Sequence, residues 1–118
     1  INMDQHHKIN YVELPVGDLG LAKTFFSNVF GWSFTDYGAE YCAFSGAGIN
    51  GGFFQSDFCV STEVGSVLLV IYSNNLEATQ ADIETAGGEI IKPIFSFPGG
   101  RRLHFIDPNG NEFAVWSE

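Results

Sequence analysis

The sequence predicts an α+β fold in which a strand–helix–strand–strand–strand unit (βαβββ) occurs twice. With 118 residues, 45% of them hydrophobic, the chain suits one domain with one core. Asp18-Leu19 recurs as Asn75-Leu76 about half the chain later. Each pair follows a β-rich run and precedes a helical pattern that ends at glycine. These observations together indicate a duplicated unit.

The first unit begins with a strand over Tyr11–Val16, where polar and apolar side chains alternate with the period of a half-buried strand. Asp18 is the predicted helix N-cap and Gly31 the predicted helix stop. Apolar residues on one face of this helix are Ala22, Phe25, Phe26, Val29 and Phe30. Three β-rich segments follow at residues 32–37, 41–45 and 52–56.

The second unit repeats this order. We predict a strand at residues 67–72 and then a helix that runs to Ala86, with Asn74 and Glu77 as a capping box and Gly87-Gly88 after its end. Three strands follow at residues 89–94, 102–106 and 111–116. The last two are joined by a predicted type I turn at residues 107–110.

The chain is predicted to be a single domain, residues 1–118, with module one at 8–56 and module two at 66–117. Separating the modules would expose one face of each sheet, so we expect them to fold together. Residues 1–7 look ragged, and His6-His7 fit a mobile or added terminus better than a metal site.

Composition excludes several classes of function. A net charge of -9 disfavours binding to nucleic acid, which requires clustered cations. The longest apolar run, residues 67–72, is too short to span a membrane, and the sequence does not open on a charged-then-apolar pattern, so we expect a soluble, unsecreted protein. Cys42 and Cys59 are too few for a disulfide framework, so we expect reduced thiols in a cytoplasmic protein. The negative charge either keeps the protein in solution or attracts a cationic ligand.

The doubled unit, the Asp18-Leu19 strand end and the turn Asp107-Pro108-Asn109-Gly110-Asn111 resemble the glyoxalase, bleomycin-resistance and extradiol-dioxygenase superfamily. These proteins are also called vicinal oxygen chelate proteins. The resemblance covers residues 8–117. It implies mixed sheets that curl around a cleft, helices outside them, a small-molecule ligand and a homodimer.

Metal-dependent members of that family carry ligands at four positions, and the resemblance places them here at Tyr11, within residues 51–55, at Leu68 (or Val67) and at Ala114. A neutral phenol binds divalent metals poorly, and the other positions offer no His, Asp or Glu. We therefore predict no metal and no other cofactor. This departure argues against chemistry that needs a Lewis-acidic ion.

Strand alternation predicts which side chains line the cleft, if Tyr11 points to the concave face. Helix-facing positions would then be Val12, Leu14, Leu103, Phe105, Phe113 and Val115. Concave positions on the last strand would be Glu112, Ala114 and Trp116. The predicted ligand-binding residues are Tyr11, Glu13, Leu68, Tyr72, Arg102, His104, Glu112 and Trp116, with Val70 beside them. Aromatic walls with a few ionisable groups are typical of a small-molecule pocket.

Each of these residues has an alternative role. Glu13 and Glu112 either contact the ligand or pair with Arg102 in a solvated groove. His104 is either a general base or a structural residue. Tyr11 and Trp116 either stack on a ligand or belong to the core or a dimer interface, whereas Trp32 fits the core or an interface.

The segment 93–102 is a second possible element of the site. Gly99-Gly100 would make it a flexible loop, and Arg101-Arg102 would let it close over an anion. The tandem arginines alternatively balance local acidic charge.

The leading hypothesis is a glyoxalase-like protein that binds a small organic molecule without a metal. Sequestration as in bleomycin-resistance proteins is the nearest model. The alternative is a lyase or isomerase, either metal-free with His104 or Glu112 as the catalytic base, or with a divergent metal site made from Glu13, His104 and Glu112. A third possibility is a dimeric interaction domain without a ligand. Whether the protein is an enzyme stays open at this point.

Overall fold

The computed structural model describes residues 4–118 and contains two βαβββ modules in the predicted order. The elements of the first module are β1 (Tyr11–Val16), α1 (Leu19–Phe30), β2 (Ser33–Asp36), β3 (Tyr41–Ser45) and β4 (Asn50–Gln55). Those of the second are β5 (Leu69–Tyr72), α2 (Leu76–Thr85), β6 (Glu89–Phe97), β7 (Gly100–Ile106) and β8 (Glu112–Ser117). The strand orders β1-β4-β3-β2 and β5-β8-β7-β6 are equivalent, and each sheet has one parallel pair. Both sheets are curled and neither closes.

Helix α1 has the predicted ends. The Asp18 side chain accepts a hydrogen bond from the Leu21 N–H at 3.0 Å, which satisfies a donor that the first helical turn leaves free. Gly31 ends the helix at φ 73°, a left-handed conformation that favours glycine. Its N–H donates to the Ser27 carbonyl at 3.0 Å.

Helix α2 begins one residue later than predicted. Its N-cap is Asn75, whose side chain accepts from the Ala78 N–H at 3.1 Å, so the predicted Asn74–Glu77 capping box is wrong. Asn75 is the repeat equivalent of Asp18, and the duplication therefore located this cap better than the local motif did. Gly87 ends the helix with φ 98°, and the Gly88 N–H donates to the Ile83 carbonyl at 2.8 Å.

The core joins the two modules around α1. Phe26 is fully buried, and its ring centroid lies 5.5 Å from that of Phe53 in the first sheet and 5.1 Å from that of Phe113 in the second. Trp32 is 8% exposed and stacks on Phe26 at 4.7 Å, so its predicted place in the core is confirmed. One aromatic cluster therefore holds both sheets.

The predicted flexible loop at residues 93–102 is wrong. Strand β6 continues to Phe97, β7 begins at Gly100, and only a tight turn separates them. The β6–β7 register shifts between Ile90 and Lys92 and again between Lys92 and Phe95. Such bulges accommodate Pro93, which cannot donate to the ladder. The segment is therefore a hairpin that continues the second sheet.

The turn at residues 107–111 fastens the second module to the first. The Gly110 N–H donates to the Asp107 carbonyl at 2.9 Å, which closes the predicted turn. Asn109 exchanges two hydrogen bonds with the Asp18 backbone, at 2.8 and 3.0 Å. Asn111 donates to the Pro15 carbonyl at 2.6 Å and accepts from the Val60 N–H at 2.8 Å. The asparagines of this motif are thus contacts between modules.

Asp107 gives this turn a pH-dependent stability. Its Oδ1 accepts from the N–H groups of Asn109 and Asn111, whereas Oδ2 is buried without a partner. Burial raises the pKa of Asp107 to about 6, against the hydrogen bonds that lower it. The folded state therefore binds more protons than the unfolded state between the ordinary carboxyl pKa and about 6, and this stabilisation is lost as pH rises through about 6.

We expect Asp107→Asn to remove the part of the free energy of unfolding that depends on the protonation of Asp107. The amide keeps a carbonyl oxygen for the two N–H groups but does not titrate. Between about pH 4 and pH 6, the free energy of unfolding of the wild type should fall relative to that of the variant by on the order of 2–3 kcal/mol. Urea unfolding of both proteins across this range measures the difference, and parallel pH profiles would contradict the assignment.

Neither helix within residues 4–118 has the length and apolar character needed to traverse a bilayer. Cys42 is buried, Cys59 is exposed, and both are free thiols. Burial raises the pKa of the Cys42 thiol. The residues before position 4, part of the predicted ragged terminus, lie outside the described residues.

Candidate functional site

The first sheet presents an open face away from the core, as alternation predicts. Leu14 and Val16 are buried, whereas Tyr11 and Glu13 on the opposite face are exposed. A depression of about 880 Å³ lies beside Tyr11, next to the turn that joins β3 and β4. Among the described residues, its lining includes no Lys, Arg or His.

A hydrogen-bonded chain of two phenols and a carboxylate crosses this face. The Tyr41 hydroxyl donates to Glu13 Oε2 at 2.8 Å, so the Tyr11 hydroxyl donates to Tyr41, at 2.6 Å. Burial, with the bonds to Tyr11 and Glu13, raises the pKa of Tyr41. A Cβ at Gly52 would lie 2.1 Å from the Tyr41 hydroxyl oxygen, so this glycine makes room for the chain. Sequence reasoning missed Tyr41, although a strand glycine signals such a close approach.

On the second sheet, His104 and Glu112 form a buried pair. Their side chains are 2% and 3% exposed, and His104 Nδ1 lies 2.8 Å from Glu112 Oε2. Thr62, in the connection between modules, donates to Glu112 Oε1 from its N–H at 2.7 Å and from its hydroxyl at 2.9 Å. Burial would raise the pKa of Glu112, but the bonds from His104 and Thr62 outweigh it and lower this pKa. Glu112 is therefore an ionised carboxylate that accepts hydrogen bonds from His104 and Thr62.

Arg102 completes this network from the other side of the imidazole. Its Nη2 lies 2.9 Å from His104 Nε2. A guanidinium can only donate, so Nε2 accepts and the proton of a neutral His104 is on Nδ1, facing Glu112. No carboxylate lies within 4.0 Å of Arg102 among residues 4–118. The predicted alternative, a direct pairing of Arg102 with Glu13 or Glu112, is therefore wrong, because His104 separates Arg102 from Glu112 and Glu13 bonds to Tyr41.

A small pocket of about 330 Å³ opens beside Arg102. Its lining comprises Val70, Phe97, Gly99, Arg102 and Trp116. Trp116 packs edge-on against Tyr72, with centroids 5.1 Å apart, and the Arg102 guanidinium carbon lies 5.5 Å from the Phe95 ring centroid. The Tyr72 hydroxyl donates to Glu118, and this bond raises the Tyr72 pKa. The pocket is thus an apolar hollow with one cationic wall.

The predicted ligand-binding residues therefore fall into two groups. Tyr11 and Glu13 lie on the first sheet, whereas the second sheet brings together Tyr72, Arg102, His104, Glu112 and Trp116. No hydrogen bond, ion pair or ring contact joins the two groups within the described chain. Leu68 is half-buried and immediately precedes β5. Sequence reasoning missed Thr62, Phe95 and Phe97, whose partners lie far along the chain or depend on the β6 bulges.

The donor set does not fit the metal site that the fold resemblance implies. Ala114, at one of the ligand positions, is fully buried between Val70 and His104 in neighbouring strands. The Tyr11 hydroxyl is hydrogen-bonded to Tyr41. Gly52, within the family position at residues 51–55, has no side chain to offer a metal. In the described part of the chain, no three His, Cys, Asp or Glu side chains are grouped to hold a metal ion. The alternative metal site is not assembled among residues 4–118, because His104 pairs with Glu112 on the second sheet while Glu13 is hydrogen-bonded to Tyr41 on the first.

A match to a protein-family model shows which family the chain belongs to. The model described as Glyoxalase/Bleomycin resistance protein/Dioxygenase superfamily matches residues 8–115. The chain belongs to this superfamily. No curated protein matches the sequence.

Solved structures with this fold include several superfamily proteins. A glyoxalase-related enzyme from Fulvimarina pelagi is 19% identical with a TM-score of 0.77, and the match covers 95% of this chain and 88% of that one. The fosfomycin resistance protein FosX from Listeria monocytogenes is 18% identical with a TM-score of 0.79 and coverages of 97% and 95%. Lactoylglutathione lyase from Agrobacterium tumefaciens is 18% identical with a TM-score of 0.69 and coverages of 97% and 96%. At these identities the likeness shows the fold alone.

Proposed function

We propose that this superfamily member binds a small organic molecule on the open face of its second sheet, without a metal ion. The observation that carries the proposal is the pocket of about 330 Å³ between Trp116, Val70 and Phe97, which has Arg102 in its wall. A hollow with apolar and aromatic walls and one oriented polar group has the composition of a ligand site. Its volume suits a small molecule rather than a peptide.

Metal independence rests on the chemistry of the four family positions. Tyr11, Leu68 and Ala114 offer no good metal-binding group, and residues 51–55 contain no His, Asp or Glu, so these four positions cannot supply the usual ligands of a divalent ion. All strands and helices of the two modules are nevertheless present. A pocket without metal ligands is consistent with sequestration of a ligand, as in bleomycin-resistance proteins.

The hydrogen bonds of His104 favour binding over base catalysis. A general base needs a free lone pair within reach of the proton that it removes. His104 is 1% exposed, Nδ1 faces Glu112, and Nε2 accepts from Arg102. Glu112 is enclosed by His104 and Thr62. We therefore assign this network to positioning Arg102.

We also propose that the chain forms a homodimer, as the fold resemblance implies. Apolar side chains stand exposed on both sheets, among them Tyr11, Phe54, Val70 and Tyr72. Contiguous exposed apolar groups on sheet faces are typical of an interface. The free thiols of Cys42 and Cys59 accord with a reducing cytoplasm, the compartment that we propose.

Two probes with the same ring system test the proposed function: naphthoate and naphthylmethanol. Titration calorimetry on metal-analysed protein should give saturable binding of at least one probe, with the same Kd in chelator and in added manganese. Trp116→Ala should weaken it about tenfold because stacking area is lost. Phe58→Ala, at a side chain 78% exposed in the connection, is the matched control and should change nothing. Binding that requires manganese, or no binding of either probe at millimolar concentration, would contradict the proposal.

A further inference from the structure

We propose that the ligand is an organic monocarboxylate with an aromatic or other flat apolar body, and that Arg102 holds its carboxylate. This inference rests on the proposed function and specifies the class of ligand for the same pocket. It is opposite in sign to a cationic ligand, which the net charge of -9 leaves open when the whole chain is considered.

Arg102 has no direct ion pair with a carboxylate of the described chain. No carboxylate lies within 4.0 Å of it in the described chain, and its buried Nε has no hydrogen-bond partner. Its one side-chain hydrogen-bond partner is His104 Nε2, which carries no negative charge. The charge of Glu112 reaches Arg102 only across the imidazole of His104, so a direct ion pair with an anion bound at the pocket would further stabilise this half-buried guanidinium.

The adjacent arginine, Arg101, is paired with a carboxylate of the protein and provides a comparison for Arg102. Arg101 points to the opposite face and forms two hydrogen bonds with Glu77, at 2.6 and 3.1 Å. These bonds raise the pKa of Arg101 and lower that of Glu77. Of two consecutive arginines, one therefore has its carboxylate in the protein, and the one in the pocket wall does not.

The charges around the pocket favour an anion as well. Lys92 is the register partner of His104, which places it on the same face, and it has no salt bridge within residues 4–118. The carboxylates of Glu112 and Glu118 are hydrogen-bonded to His104, Thr62 and Tyr72, and neither forms an ion pair with Arg102 or Lys92 in the described chain. Two of the five Lys and Arg residues of an acidic chain thus stand on one open face.

The geometry of Arg102 selects a carboxylate. Nη1 has no hydrogen bond in the described chain, and Nη2 uses one of its two hydrogens on His104. These two nitrogens form a planar fork that matches the two oxygens of a carboxylate. Trp116, Phe97 and Val70 leave an open apolar space beside the fork, with a volume of about 330 Å³. We therefore assign this space to a flat apolar body attached to the carboxylate.

Three probes that share one ring and differ in charge test the inference: naphthoate, naphthylmethanol and naphthylmethylammonium. We expect wild-type protein to bind naphthoate at least tenfold more tightly than either of the others. Arg102→Met should remove this preference by weakening naphthoate alone. Arg101→Met removes the same charge on the other face of the sheet and should leave all three Kd values within about twofold of wild type.

The outcomes separate this inference from the proposed function. Equal binding of naphthoate and naphthylmethanol, or tightest binding of the ammonium probe, would overturn the carboxylate assignment while the proposed pocket stands. Failure of all three to bind at millimolar concentration would overturn both. If Arg102→Met does not fold, as judged by circular dichroism, the comparison of probes on wild-type protein decides alone.

Discussion

Phe26→Ala is expected to lower the free energy of unfolding by about 3–5 kcal/mol, the usual cost of deleting a fully buried phenylalanine ring. Phe26 is fully buried and contacts aromatic rings of both sheets, including Phe53 and Phe113. The cavity would form where the modules meet, so neither sheet could close it by moving alone. Urea unfolding followed by circular dichroism measures the loss.

The matched control is Phe58→Ala, because Phe58 is 78% exposed and its removal should cost less than about 0.5 kcal/mol. Tryptophan fluorescence and circular dichroism should report one coincident transition, since the aromatic cluster holds both modules. A loss below about 1 kcal/mol, or separate transitions for the two probes, would show that the modules do not share this core.

Glu112→Gln is expected to destabilise the fold by about 2–4 kcal/mol and to weaken the anion site together with it. The Gln oxygen can accept from Thr62, but the amide N–H₂ then faces the Nδ1–H of His104, and two donors meet in a buried place. If the imidazole shifts its proton to Nε2 instead, it meets the donor Nη2 of Arg102. Either rearrangement leaves a buried donor without an acceptor.

The pH dependence gives this variant a second signature. The folded-state pKa of Glu112 is lowered, so its stabilisation is present above the ordinary Glu pKa and is lost as pH falls through the folded value. Glu112→Gln should flatten the acid limb of the stability profile. Thr62→Val keeps the N–H bond and removes only the hydroxyl, and should cost about 1 kcal/mol. A Glu112→Gln profile with the wild-type acid limb would contradict the network.

Local patterns predicted the fold and the faces of the sheets. The caps Asp18 and Gly31 and the alternation of Tyr11 and Glu13 with Leu14 and Val16 follow from short-range rules that the structure obeys. The repeat also carried real information, since it points to Asn75 where the local capping motif pointed to Asn74. The family relationship followed from the same order of elements.

Partners across the chain could not be predicted in the same way. Thr62 reaches Glu112 because the connection between modules folds over the end of β8, and no sequence period encodes that path. The β6 bulges around Pro93 determine how β6 pairs with β7, where Phe95 stands opposite Arg102. Sequence reasoning therefore placed Arg102 on the concave face, but the pairing with Glu13 or Glu112 that it offered as one alternative does not form.

The most direct test of this account is a titration of chelator-treated protein with naphthoate, followed by the two tryptophan indole N–H signals in nuclear magnetic resonance. Trp116 lines the proposed pocket, whereas Trp32 is 8% exposed in the core. We predict that the Trp116 signal moves in a saturable way while the Trp32 signal stays in place. An unmoved Trp116 signal at saturating naphthoate, or movement only after manganese is added, would contradict a metal-independent site on the second sheet.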